Sequence, residues 1–157
     1  MGGPPVHILG YAPDHPQWAA VWTGLGRDLA DIIRDAARNG AELDATLRAD
    51  QLWLHTAGRP VLTLHGPGTV IPPGQWLVET ASHGTGLWAA WLMAAMLRVH
   101  QLAPLATRLA SDSGWNGGWQ PARQILARRF GAGAGGYDHT SPLVSAGDAF
   151  AGMRRTS

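Results

Sequence analysis

The chain has 157 residues, long enough to bury a substantial core, and 45% hydrophobic against 15% charged content excludes a disordered chain. Twelve basic residues, all arginine, against 11 acidic ones leave a net charge of +1, so charge gives no ground for a nucleic-acid or anionic-membrane partner. Cysteine is absent, which excludes disulfides, thiolate zinc sites and a cysteine nucleophile.

The opening residues lack the basic start and apolar run of a signal peptide. The most apolar stretch, 84–97, is short for a bilayer span and suits a buried helix. A soluble, cytoplasmic protein is expected. Residues Val6 to Tyr11 form an apolar run bounded by prolines and read as a strand. Asp14 and Pro16 then supply a cap acceptor and a first-turn proline. Trp18, Val21, Trp22, Leu25, Leu29, Ile32 and Ile33 recur at helical spacing up to Asn39 and Gly40, with Gly24 and Gly26 able to break the stretch in two. Residues 52–55 and 61–65 flank a glycine-bearing turn and predict a hairpin. A Pro/Gly-rich loop leads to a third strand over 75–80. Apolar residues on both faces of these strands predict a sheet covered on both sides. A helix follows over 87–102, then 105–110 as a strand or a helical turn, a loop over 111–118, and a helix over 121–130 stopped by glycines. Two weak strand candidates, 137–144 and 148–155, close the chain.

The segment 76–88, WLVETASHGTGLW, carries the chemistry: a strand passes through a glycine-bearing loop directly into an apolar helix. The first helical turn has backbone N–H groups with no intrahelical partner and a positive dipole end. Glycines beside it let a ligand phosphate approach the backbone. Such turns are also common structural punctuation.

This segment resembles motif A of the GNAT superfamily of N-acetyltransferases. Val78 and Glu79 match the family's Val-acid pair, Thr80 stands for its proline, His83 for its Arg or Gln, and Gly86 for its first required glycine. Trp88 stands where the family has Gly or Ala. Residues 120–131 resemble its Asn-Pro-Ala helix, with Leu126 or Ala127 in place of a tyrosine, and 148–155 resemble its last strand. The resemblance implies one α/β (α+β) domain over 1–157, with a mixed, mostly antiparallel central sheet flanked by helices in the order β-α-α-β-β-β-α-β-α-β-β. It implies acetyl-CoA, or another acyl-CoA, as cofactor, with acetyl transfer to an amine of a small molecule or protein. Leu77 and Val78 would pair with the pantetheine. His83, Gly84, Thr85, Gly86, Leu87 and Trp88 would hold the pyrophosphate, with Asn116 and Gln120 also on the cofactor side. Glu79 would be the base, or only a strand-end carboxylate, and Tyr137 a substitute acid. The alternative is a degenerate binding or assembly module of the same fold without transferase activity, a homodimer through its Trp-rich surfaces. An unrelated α+β fold would place strands 52–56, 60–65 and 75–80 in another order.

Ser82-His83-Gly84-Thr85 also resembles the histidine motif of subtilisin-like proteases, but the serine motif and chain length of that family are missing. Seven histidines (7, 15, 55, 65, 83, 100, 139) show no metal-ligand spacing, so no metal site is expected. His55 and His65 can meet across the hairpin or simply face solvent. Asp112, Ser113 and Asn116 lie in the loop that, by the GNAT resemblance, lines the substrate side, or are only turn formers. Trp18/Trp22 and Trp115/Trp119, each at i, i+4, read as packing or pocket walls.

Overall fold

In the computed structural model, residues 6–82, 87–111 and 119–135 are described. In chain order they form β1 (Val6–Tyr11), α1 (Pro16–Arg38), β2 (Asp44–Leu47), β3 (Gln51–Thr56), β4 (Arg59–His65), β5 (Leu77–Ser82), α2 (Ala89–Leu102), β6 (Thr107–Ser111), α3 (Gln120–Phe130) and the short α4 (Ala132–Gly135). The two strand candidates after Tyr137 lie outside these residues.

Helix α1 runs unbroken through Gly24 and Gly26. Each glycine costs roughly 1 kcal/mol in a helix interior, but Trp18, Leu25, Leu29, Ile32, Ile33 and Ala36 bury one continuous stripe that outweighs it. The cap is His15 rather than the expected Asp14: its imidazole Nδ1 accepts from the Gln17 amide at 3.0 Å. The end falls at Asn39, as expected, and Gly40 follows with φ 74°. The hairpin turn is Ala57-Gly58, both at positive φ, the geometry that matches strand twist in a two-residue loop. Strand β2, which sequence patterning missed, adds to β3 through four register pairs from Asp44↔His55 to Leu47↔Leu52.

The strands make two antiparallel sheets, β5-β1-β6 and β2-β3-β4, instead of one central sheet. The third expected strand does not continue the hairpin. β5 pairs with β1 from Val6↔Ser82 to Tyr11↔Leu77, and β1 pairs on its other side with β6. The physical reason lies on the free edge of β4, where side chains replace a backbone ladder. The Thr63 amide donates to Glu79 Oε1 at 2.7 Å, and the His65 amide donates to the Tyr11 hydroxyl at 2.9 Å. Trp18 Nε1 donates to the His65 carbonyl at 2.9 Å. The sheets are thus stitched across a seam.

Covering on both sides is also corrected for the hairpin. Leu52, Leu54, Leu62 and Leu64 enter the core, whereas Trp53 is half-buried under the Arg48 guanidinium, 5.0 Å from its ring. One hydrophobic cluster takes in residues of both sheets and of α1, α2 and α3. α2 is buried nearly all round between α1 and α3, which explains its weak amphipathic pattern. An acidic row on α1 anchors its neighbours: Asp28 pairs with Arg98 of α2, and Asp31 and Asp35 pair with Arg129 and Arg128 of α3.

Candidate functional site

Directly opposed residues in antiparallel strands share a face. The registers therefore put His7, Leu9 and Tyr11 of β1 on one face with Leu77, Glu79 and Ala81 of β5 and Thr107, Leu109 and Ser111 of β6. That face carries four polar groups besides Tyr11: His7, Glu79, Thr107 and Ser111. Polar groups at covered positions need partners, and the pattern of those partners separates structural from chemical candidates.

Glu79, the expected base, is bound into the seam. Its carboxylate accepts the Thr63 amide and lies close enough to Tyr11 to oppose ionisation of the phenol. Tyr11 is fully buried and stacked on Trp18 at 4.8 Å between ring centroids. Burial above all drives its pKa well up, the Glu79 charge adds to this, and the hydrogen bond from the His65 amide only partly offsets it. Tyr11 is therefore a neutral hydrogen-bonding group.

Thr107 receives His100 Nδ1 at 2.7 Å and bonds the Ala103 carbonyl at 2.6 Å. Burial lowers the pKa of His100. A carbonyl can only accept, so the Thr107 hydroxyl proton is committed to Ala103 and the imidazole must donate. This pair fastens α2 to β6.

His7 and Ser111 face each other at the end of the sheet where β5 and β6 finish and β1 begins. His7 Nδ1 lies 2.7 Å from Ser111 Oγ, with both residues buried. Trp119, which precedes α3 and is fully buried, donates its indole N–H to the same Oγ at 3.3 Å and stands edge-on to the imidazole at 5.0 Å. Residues 83–86 connect this sheet end to α2, and 112–118 connect it to α3.

The expected cofactor residues divide in two. Leu77 and Val78 are buried in β5, which is flanked by β1 on one side and by β4, across the Glu79 bridge, on the other. A pantetheine paired along β5, as the resemblance implies, would have to compete with those neighbours. Leu87 is 69% exposed. Trp88 is half-buried against the core, and its carbonyl accepts the first amides of α2, from Trp91 and Leu92, both at 3.1 Å. Gln120 is exposed at the start of α3. His83, Gly84, Thr85, Gly86, Asn116 and Tyr137 lie outside the described residues, as do Asp112, Ser113 and Trp115.

His55 and His65 do not meet. His55 lies opposite Pro60 near the turn, bonded to Thr46 at 3.1 Å, while His65 lies opposite Gln51 at the far end. Trp18 and Trp22 pack together at 5.7 Å, as their spacing predicts. Among the described residues no group of three or more His, Asp or Glu could hold a metal ion, and no helix is long and apolar enough to cross a membrane. Open grooves of about 440 Å³, along Trp22, Arg27 and Leu52, and about 590 Å³, along Ala41, Asp44 and His55, are lined by none of the sheet-end residues.

The sequence reading singles out neither His7, inside the apolar run Val6 to Tyr11, nor Ser111, at the start of the 111–118 loop; an imidazole at a core-facing strand position is the available signal. The chain matches no protein-family model, no curated protein and no solved structure.

Proposed function

We propose that this protein is an acyltransferase that moves a small acyl group from acetyl-CoA, or another acyl-CoA, to an amine of a small molecule or protein. The observation that carries the reading is local. Strand β5 ends at Ser82, opposite Val6, and α2 begins at Ala89, so the chain enters the glycine-bearing segment from the sheet end that holds the His7–Ser111 contact. Loop amides before a helix suit a diphosphate. The GNAT resemblance supplies the donor and acceptor classes. It is carried by residues 76–88, 120–131 and 148–155, and the two-sheet strand order adds no support to it. In this reading Glu79 is a seam residue, and the chemistry belongs to the sheet end.

A second reading, a binding or assembly module without transferase activity, is favoured by two observations. β1 stands between β5 and β6, and the Glu79 carboxylate is engaged by Thr63. Calorimetric titration with acetyl-CoA, followed by an assay of free thiol release with added amines, separates the readings. Binding with thiol release supports transfer, binding without release supports the module, and absence of both defeats the acyl-CoA assignment.

A further inference from the structure

We propose that the groove between α1 and the β2–β3 turn binds a small organic carboxylate, its apolar body between the two walls and its charge on Arg27. The site is independent of the acyl-CoA reading, because none of the sheet-end residues lines this groove. One wall is a single face of α1, where Thr23, Gly26, Arg27 and Ala30 recur at i, i+3, i+4 and i+7. The other wall is Leu47 at the end of β2 and Leu52 of β3, which lie opposite each other in the sheet. Leu47 is 44% exposed, an apolar side chain left to water beside the groove. Trp22 adds an aromatic surface and is fixed in place. Its indole Nε1 donates to the Ala49 carbonyl at 2.8 Å, and a Cβ on Gly66 would stand only 3.2 Å from the ring, so the backbone there packs directly against it. The space enclosed is about 440 Å³, within the range of small-ligand sites.

Gly26 makes the room. Glycine inside a helix is unfavourable relative to alanine, and alanine would fit here, its Cβ 3.9 Å from Leu52 Cδ2 in ordinary contact. Packing within the chain therefore does not require glycine, and what the missing side chain provides is depth between α1 and Leu52. The charge is equally one-sided. No Asp or Glu lines the groove. Among the described residues the ion pairs engage Arg98, Arg128 and Arg129, and none engages Arg27 or Arg48. Arg48 lines the groove from the β2–β3 turn, its guanidinium held 5.0 Å from the Trp53 ring, and adds positive potential. Arg27 is exposed and keeps its guanidinium for a ligand. That planar fork matches a carboxylate, which it grips with two parallel hydrogen bonds. A heavily charged ligand would have to lay further charges against Trp22, Leu47 and Leu52, where they would lose hydration without gaining partners. A hydrocarbon or aromatic body with one carboxylate satisfies both the walls and the rim.

The probe is octanoate, titrated calorimetrically into the intact wild-type chain. Octanol, which has the tail without the charge, and octylammonium, which reverses the charge, should each bind at least about tenfold more weakly. Acetate, the charge without the tail, should not bind. Arg27→Gln should weaken octanoate at least about tenfold, Gly26→Leu should abolish its binding by filling the groove, and Gly24→Ala should leave it unchanged. A diazirine analogue of octanoate, irradiated with the wild-type chain, should label peptides spanning 22–30 and 47–52, and excess octanoate should suppress the labelling. That mapping does not depend on whether Gly26→Leu folds. Octanol binding as tightly as octanoate, full affinity in Arg27→Gln, or label confined to other segments overturns the proposal. So does a ligand-free chain that sediments as a dimer with the groove closed to the label, since a second copy would then be the occupant.

Discussion

At Tyr11 one oxygen serves two sheets. The phenol belongs to β1, yet it accepts the His65 amide from β4. Tyr11→Phe leaves that part-buried amide without its phenol acceptor and should cost about 1–2 kcal/mol in urea unfolding. Glu79→Ala removes the acceptor of the Thr63 amide and should cost a similar amount, whereas Glu79→Gln keeps an acceptor oxygen and should cost less. Should Glu79→Gln abolish thiol release with the fold intact, the seam role assigned to Glu79 would be wrong. Burial raises the Tyr11 pKa above the ordinary value of 10.0. The folded state therefore holds a proton that the unfolded chain gives up, and stability should fall as pH rises above about 10. Ultraviolet titration checks this, because Tyr11 should ionise only with unfolding.

At the scale of elements, α1 is the spine to which the other helices are tied. Asp35 illustrates the balance: burial pushes its carboxyl up, but hydrogen bonds from Arg128 and Trp91 and the charges of Arg128 and Arg129 more than offset this, leaving the pKa below 3.8. Its stabilising contribution is present above that pH and is lost as pH falls through the lower folded value. His100 acts in the same direction. Its pKa is lowered from 6.5 by burial, so below that pH the unfolded chain binds a proton the folded chain resists. Unfolding free energy should therefore decline in two stages on acidification, first below about pH 6.5 and again below about pH 4. His100→Gln should flatten only the first stage. Asp35→Ala should remove the second and cost about 1–3 kcal/mol at neutral pH, mostly by stranding the Trp91 N–H; Arg128, half exposed, can return to water. Gly24 is a different kind of site. A Cβ there would meet only the tip of Arg27, at 4.0 Å, so Gly24→Ala should stabilise α1 by roughly 0.5–1 kcal/mol and raise the melting temperature.

For the whole molecule, one core cluster crosses the seam. The two sheets should consequently melt together, with tryptophan fluorescence and far-ultraviolet circular dichroism tracing the same transition. A double variant, Tyr11→Phe with Glu79→Ala, should depart from additivity, because both residues satisfy the same edge of β4. Separate fluorescence and dichroism transitions would show that the seam is not a cooperative interface. The site belongs to this scale as well: His7 and Ser111 are 104 positions apart, and they meet only because β1 is placed between β5 and β6.

The sequence alone determined most of the local structure. Apolar spacing marked α1, a continuous apolar run marked α2, Ala57-Gly58 marked the hairpin turn, and glycine marked the ends of α1 and α3. These are properties of short windows, where side-chain periodicity and turn stereochemistry act directly on the backbone. Tertiary structure decided which strands pair. Backbone amides and carbonyls are the same in every strand, so the β5–β1–β6 order has no local signature, and the seam depends on side chains reaching across from other elements. Glu79 shows this: a carboxylate beside a glycine loop in sequence is, in three dimensions, the acceptor for an amide sixteen positions away.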